Sequence, residues 1–152
     1  MEPIKKIAGR ILLYFYLIQR NDYSKLCDLV LEFQMRHFSD KNEKSPKIIH
    51  KDNEIVQNLL KIAGNDNNVY NALKYLENKG FIEMSKSSDN VNDNFLNFSV
   101  SSAGIDIIES IERGKEEKRE FNIIFNIKVA DNINIESLIK TELGSLIKAS
   151  LV

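Results

Sequence analysis

The chain is poor in the residues that build disulfides, metal centres and phosphate loops. It has one cysteine, Cys27, so no internal disulfide can form, which fits a reducing cytoplasm. Cys27 lies in an apolar-periodic stretch and is expected to be a packed thiol. The two histidines, His37 and His50, have no zinc-ligand spacing with each other or with Cys27. The sequence therefore predicts no bound metal.

Other classes of function lack their sequence marks. The six glycines form no phosphate-binding loop, and no nucleophile elbow or catalytic carboxylate pair stands out. The longest early apolar run, Ile11–Ile18, is too short for a membrane span of about 20 residues, and no secretory signal is visible. We expect a cytoplasmic protein that is not an enzyme, with no catalytic residues, no cofactor, no membrane and no evident small-molecule ligand.

Charge is nearly balanced over the 152 residues, with a net of −1. Such a surface does not attract phosphate as a whole, so nucleic-acid binding would depend on local patches. The length suits one domain, or one domain with an extension. The segment Ser39–Lys51 is locally basic and contains Pro46, which favours a solvated connector with a short extended piece at Lys47–His50.

Helical periodicity dominates the first half of the chain. Pro3–Gln19 carries one apolar stripe, and Tyr23–Phe38 reads as a second helix with Leu26, Leu29, Val30 and Phe33 inward. Asp52 is expected to cap a third helix that ends at Gly64. A short turn then leads to a fourth helix, whose inner face is Val69, Ala72, Leu73 and Leu76. For this helix Asn65, Asp66 and Asn67 are the candidate N-caps and Gly80 the left-handed end.

A hairpin and a closing helix follow. Phe81–Met84 and Phe95–Val100 read as strands around a turn rich in Ser, Asp and Asn, and Ser101 or Ser102 can cap "SAGIDIIESIE". Together these patterns predict a mainly α protein with a small β wing, of the α+β class.

The stretch from Asp52 to Glu112 resembles the winged-helix superfamily of DNA-binding domains, loosely the bacterial and phage regulators of MarR or PadR type. The resemblance rests on the helix-turn-helix "IAGNDNNVYNALKYLENKGFI", the strand pair after it and the exit phrase "SVSSAGIDIIESIE". A long insertion after the first helix leaves the subfamily unassigned. The resemblance implies a winged-helix domain over 1–112, with the helix-turn-helix and wing at 52–112.

In such domains the second helix of the pair enters the major groove and the wing lies on the backbone. Asparagine can make two bonds to adenine, whereas Tyr and Lys reach phosphates. The recognition helix would be residues 67–79, and the expected DNA contacts are Asn67, Asn68, Tyr70, Asn71, Lys74, Tyr75, Asn78 and Lys86.

The local charge argues against tight DNA binding. The ionised residues of Asn65–Lys79 cancel, and Phe81–Val100 has one lysine against three carboxylates, a net of −2. Phosphate-binding wings usually carry Lys or Arg. Two hypotheses therefore stay open: a dimeric regulator that binds DNA, and a protein-interaction module of the same fold without nucleic acid.

The C-terminal region shows a different pattern. Arg113–Glu120 is typical of a mixed-charge linker or of a helix end. Phe121, Ile123, Phe125, Ile127 and Val129 then alternate with polar residues, which is typical of a strand with one apolar face. A final helix carries Ile135, Leu138, Ile139, Leu143, Leu146, Ile147 and Leu151. A lone strand leaves backbone groups unpaired. Residues 121–152 are therefore expected either to dock on their own domain or to form a homodimer, and we favour the dimer.

Overall fold

A computed structural model describes residues 3–38, 43–88 and 92–147. The elements are, in chain order, α1 (Ile4–Asn21), α2 (Tyr23–Cys27), β1 (Val30–Phe38), β2 (Glu43–Ile48), α3 (Glu54–Ala63), α4 (Asp66–Asn78), β3 (Ile82–Ser88), β4 (Asn92–Val100), α5 (Ser102–Glu109), a 3₁₀ turn (Ser110–Glu112), α6 (Lys115–Phe125) and α7 (Ile135–Leu143). The strands form one antiparallel sheet of order β2-β1-β4-β3. The predicted α+β class is confirmed.

Caps and turn glycines set the ends of the central helices. Asn53, and not Asp52, caps α3, because its side chain accepts from the backbone N–H groups of Ile55 and Val56. Of the three candidate caps of α4, Asn65 is the one that caps it. Gly64 (φ 93°) and Gly80 (φ 77°) end the two helices in the left-handed region, where glycine has no Cβ penalty.

The predicted second helix, Tyr23–Phe38, is wrong beyond its first turn. Helix α2 ends at Cys27, and β1 pairs with β4 and β2. The strand buries Leu31 and Phe33 and leaves Val30 58% exposed. Leu29, Val30 and Phe33 have a helical spacing only by coincidence. Backbone pairing of this segment with β2 and β4 stabilises the strand instead of the helix. Part of the predicted connector is strand β2, while residues 39–42 lie outside the described ranges.

The predicted strand over Phe121–Val129 is also wrong. Residues up to Phe125 belong to α6, and the charged residues 115–120 form its first turns. Phe121 and Phe125 are both buried because they are four residues apart on one helix face, whereas Ile123 is 68% exposed. A helix satisfies its own backbone groups, so this segment needs no partner strand.

The core is built around α1, which contacts α3, α4, α6, α7 and β4. Gly9 lets the end of α6 approach closely: a Cβ there would lie 2.8 Å from Phe125 Cβ and Ile127 Cδ1. Arg10 donates from Nε to Glu142 Oε1 of α7 at 3.1 Å. Residues 121–147 therefore pack inside their own chain. The homodimer stays a prediction. An unpaired strand no longer supports it, because the predicted strand is the helix α6.

Residues 148–152, which include Leu151 of the predicted final helix, lie outside the described ranges. Within those ranges, every helix is too short or too polar to cross a bilayer.

Candidate nucleic-acid interface

The turn between α3 and α4 is held by its own polar side chains. Asn65 Oδ1 accepts from the Asn68 backbone N–H at 2.8 Å, and Asn68 Nδ2 donates to the Ala63 carbonyl at 2.9 Å. Asn68, expected as a DNA contact, thus uses its amide to fix the angle between the two helices.

The first turn of α4 is tied to strand β2. Asp66 Oδ2 accepts from the Ile48 backbone N–H at 2.9 Å and pairs with Lys51 Nζ at 3.1 Å. The β1–β2 hairpin therefore lies beside the N-terminal end of α4. This contact could not be predicted from the sequence, because 18 residues separate Asp66 from Ile48.

The inner face of α4 is the one predicted. Val69, Ala72, Leu73 and Leu76 are each 0% exposed. The opposite side bears what we call the asparagine stripe: Asn67, Asn71, Lys74 and Asn78. Its three asparagines are exposed and Lys74 is half-buried. Spacings of four, three and four residues place all four on one side of a helix.

The two tyrosines of α4 use their hydroxyls within the molecule. Tyr70 donates to Asp93 Oδ2 at 3.1 Å, and its ring packs on Phe33 and Phe95 with centroids 5.1 and 5.6 Å away. Tyr75 donates to the Ile124 carbonyl at 2.7 Å. Burial raises the pKa of both phenols, so they stay neutral donors. These hydroxyls join α4 to the sheet and to α6 rather than reaching outward.

A small charge cluster joins α4 to the β3–β4 hairpin. Lys86 Nζ pairs with Glu77 Oε1 at 2.6 Å and lies over the Phe95 ring, 5.8 Å from its centroid. The hydrogen bond to Glu77 raises the pKa of Lys86. Burial lowers the pKa of Lys74, and neighbouring Lys86 lowers it further. With Asp93, the cluster has two cations and two anions, so it carries no net charge.

The eight expected contacts thus divide into two groups. Asn67, Asn71 and Asn78 are exposed on the stripe, whereas Asn68, Tyr70, Tyr75 and Lys86 make internal contacts. Half-buried Lys74 belongs to both groups, because it lies on the stripe and interacts with Lys86. Glu77 and Asp93 were missed as members of this surface, because their partners come from other elements. The chain matches no family model, no characterised protein and no solved structure.

Proposed function

We propose that residues 52–112 form a winged-helix unit that binds duplex DNA, and that the protein acts as a transcriptional regulator. The observation that supports this best is the asparagine stripe, exposed on a helix that follows α3 through a tight turn and precedes a β hairpin. Helix α4 would lie in the major groove and the β3–β4 hairpin along the backbone.

The stripe has the chemistry and the length for reading bases. An asparagine amide offers one donor and one acceptor side, which match adenine N7 and N6. At 1.5 Å per residue, Asn67 and Asn78 are separated along the axis by about 16 Å, which spans roughly five base pairs at 3.4 Å each. An A·T-rich half-site is the expected target.

Electrostatics would contribute little to this binding. The charges of Lys74 and Lys86 are balanced by the two carboxylates of Glu77 and Asp93, and Lys51 is paired with Asp66. Lys47 is a further exposed lysine on the β2 side. If each of these four lysines neutralises one phosphate, log K should fall with log salt with a slope of about −3.6.

Selection of duplexes from a random pool, followed by mobility shift at low salt, tests the proposal. The protein should enrich an A·T-rich sequence and retard it at micromolar concentration. Asn71→Ala should weaken binding to the enriched site by about 1–3 kcal/mol while leaving unselected DNA nearly unaffected. Lys74→Gln should instead weaken both and make the salt slope shallower by about one.

The matched control is Asn132→Ala, an exposed asparagine in the turn before α7. It should bind the enriched site like the native chain. Failure to retard any duplex at micromolar protein would overturn the proposal, and so would equal losses from Asn71→Ala and Asn132→Ala.

The balanced charge cluster favours a second candidate, a protein-interaction module that uses the same surface. Lys74 and Lys86 face Glu77 and Asp93, an arrangement that suits a neutral partner better than a polyanion. Crosslinking in nuclease-treated lysate, comparing the native chain with Asn71→Arg, tests this candidate. A partner lost only in Asn71→Arg, from a protein that retards no DNA, would support it.

A further inference from the structure

A cavity lies away from the asparagine stripe, between the C-terminal half of α1, helix α2 and the start of α3. Its volume is about 500 Å³, within the range of sites that hold small organic ligands. The floor is apolar and mostly buried, and is made by Tyr14, Leu17, Ile18, Leu29, Ile55 and Ile147. Such a floor would cover the apolar body of a ligand.

The rim of the cavity is acidic. Asp22, Asp28 and Glu54 line it against one cation, Lys25. Asp22 Oδ1 is occupied, since it accepts from the backbone N–H and the hydroxyl of Ser24. In the part of the chain that the structure describes, Asp28 and Glu54 have no ion-pair partner. Two exposed carboxylates are therefore available beside an apolar surface.

The same rim disfavours an anion. The N-terminus of α3 opens here, but its backbone N–H groups at Ile55 and Val56 already donate to Asn53 Oδ1 at 2.8 and 3.4 Å. Glu54 adds a negative charge in that first turn. An anionic ligand would therefore meet a rim with more negative than positive charge, where the backbone donors of Ile55 and Val56 are already occupied.

A polar pair lies at the inner end of the cavity. Asn58 Nδ2 donates to Tyr14 Oη at 2.9 Å. Burial raises the pKa of Tyr14, so its hydroxyl remains protonated at neutral pH. The cavity thus combines an apolar floor, a neutral polar pair and a negative rim.

From this arrangement we propose that the cavity binds small amphipathic cations, with the apolar body on the floor and an ammonium group between Asp28 and Glu54. The proposal is independent of DNA binding, because none of these residues belongs to the asparagine stripe. It concerns a binding site, with no chemical step.

Dansylcadaverine tests the proposal, because its naphthalene fluorescence rises in apolar surroundings and its chain ends in an ammonium group. Two matched probes complete the set: N-acetyl-dansylcadaverine, which is neutral, and dansyl-6-aminohexanoate, which is anionic. Titration of the full chain should give saturable binding of the cation, with weaker binding of the neutral probe and the weakest binding of the anion. Added salt should weaken binding of the cation.

Variants locate the binding. Asp28→Asn and Glu54→Gln should each weaken binding of the cationic probe about threefold, which is the usual effect of an exposed charge pair. The double variant should weaken it about tenfold. Neither single variant should change binding of the neutral probe. The control Glu120→Gln removes an exposed carboxylate from α6, and it should change binding of neither the cationic nor the neutral probe. Ile55→Trp places a larger side chain in the cavity, so it should weaken binding of all three probes.

Three outcomes would overturn the proposal. The first is no saturable binding of dansylcadaverine. The second is equal affinity for the cationic and anionic probes. The third is a response of the double variant no larger than that of Glu120→Gln, which would place the probe elsewhere on the protein.

Discussion

Gly9 shows how one missing side chain sets the distance between two helices. It lies on the face of α1 that meets the end of α6, with Phe125 Cβ and Ile127 Cδ1 each 2.8 Å from where its Cβ would be. Real Cβ atoms do not tolerate such distances. The side chains of α6 and the segment after it can therefore pack against the α1 backbone only because this residue is glycine.

Gly9→Ala should consequently destabilise the protein despite alanine's better helix propensity. We expect a loss of about 1–2 kcal/mol in the free energy of unfolding, because overpacking exceeds the gain in propensity. Urea denaturation followed by circular dichroism measures it. Lys5→Ala is the control, since Lys5 is exposed on the same helix, and it should stay within about 0.5 kcal/mol. Equal stability of the two variants would contradict the packing described.

At the scale of single residues, the asparagine stripe could be read from the sequence and the internal contacts could not. The stripe follows from the inner face of α4, since one face of a helix implies the other. The contacts of Tyr70 with Asp93 and of Tyr75 with Ile124 join residues 23 and 49 positions apart. Only the fold brings those pairs together.

At the scale of elements, α4 was predictable and α6 was not. Helix α4 has a cap, a left-handed glycine after it and an unambiguous inner face. In α6, the residues Phe121, Ile123 and Phe125 alternate like a strand, while Phe121 and Phe125 also satisfy a helical spacing. Short apolar segments support both readings, and the close contact with α1 selects the helix.

Two alanine substitutions distinguish helix from strand in this segment. Phe125→Ala should cost about 3–5 kcal/mol, because its side chain is fully buried. Ile123→Ala should cost less than about 0.5 kcal/mol, because Ile123 is 68% exposed. Chemical denaturation of both variants is the measurement. In a strand the two residues would share one buried face, so similar large losses would contradict α6.

At the scale of the whole molecule, α1 connects regions that the sequence suggested were separate. It contacts both the helices around the asparagine stripe and the C-terminal helices α6 and α7. The residues 121–147 thus complete the core on which α4 rests. The sequence could not reveal this, because a charged segment before an apolar one has the composition of a linker.

Buried and half-buried phenols make the stability of this core sensitive to alkaline pH. Burial raises the pKa of Tyr14, Tyr70 and Tyr75 above the ordinary 10.0. Between pH 10 and the raised values, the unfolded chain loses these protons while the folded chain keeps them. The stabilisation is therefore fully present below pH 10 and is lost as pH rises through the raised pKa values.

We expect Tm to fall as pH rises from 9.5 to 11, and to fall less steeply in Tyr14→Phe, which has no proton to lose. Thermal denaturation across this range measures the slope. Tyr23→Phe is the matched control, because Tyr23 is 54% exposed and should leave the slope unchanged. A native slope identical to that of Tyr14→Phe would contradict the role of its burial.

Pro46 affects whether the sheet of one molecule can pair with the sheet of another. It lies in β2, an outer strand of the sheet, opposite Met35 of β1. Proline has no N–H to donate, so that border of the sheet offers an incomplete template to an incoming strand. Fibril formation through pairing of edge strands between molecules is therefore disfavoured along β2. At the opposite edge of the sheet, β3 bears the charged Lys86.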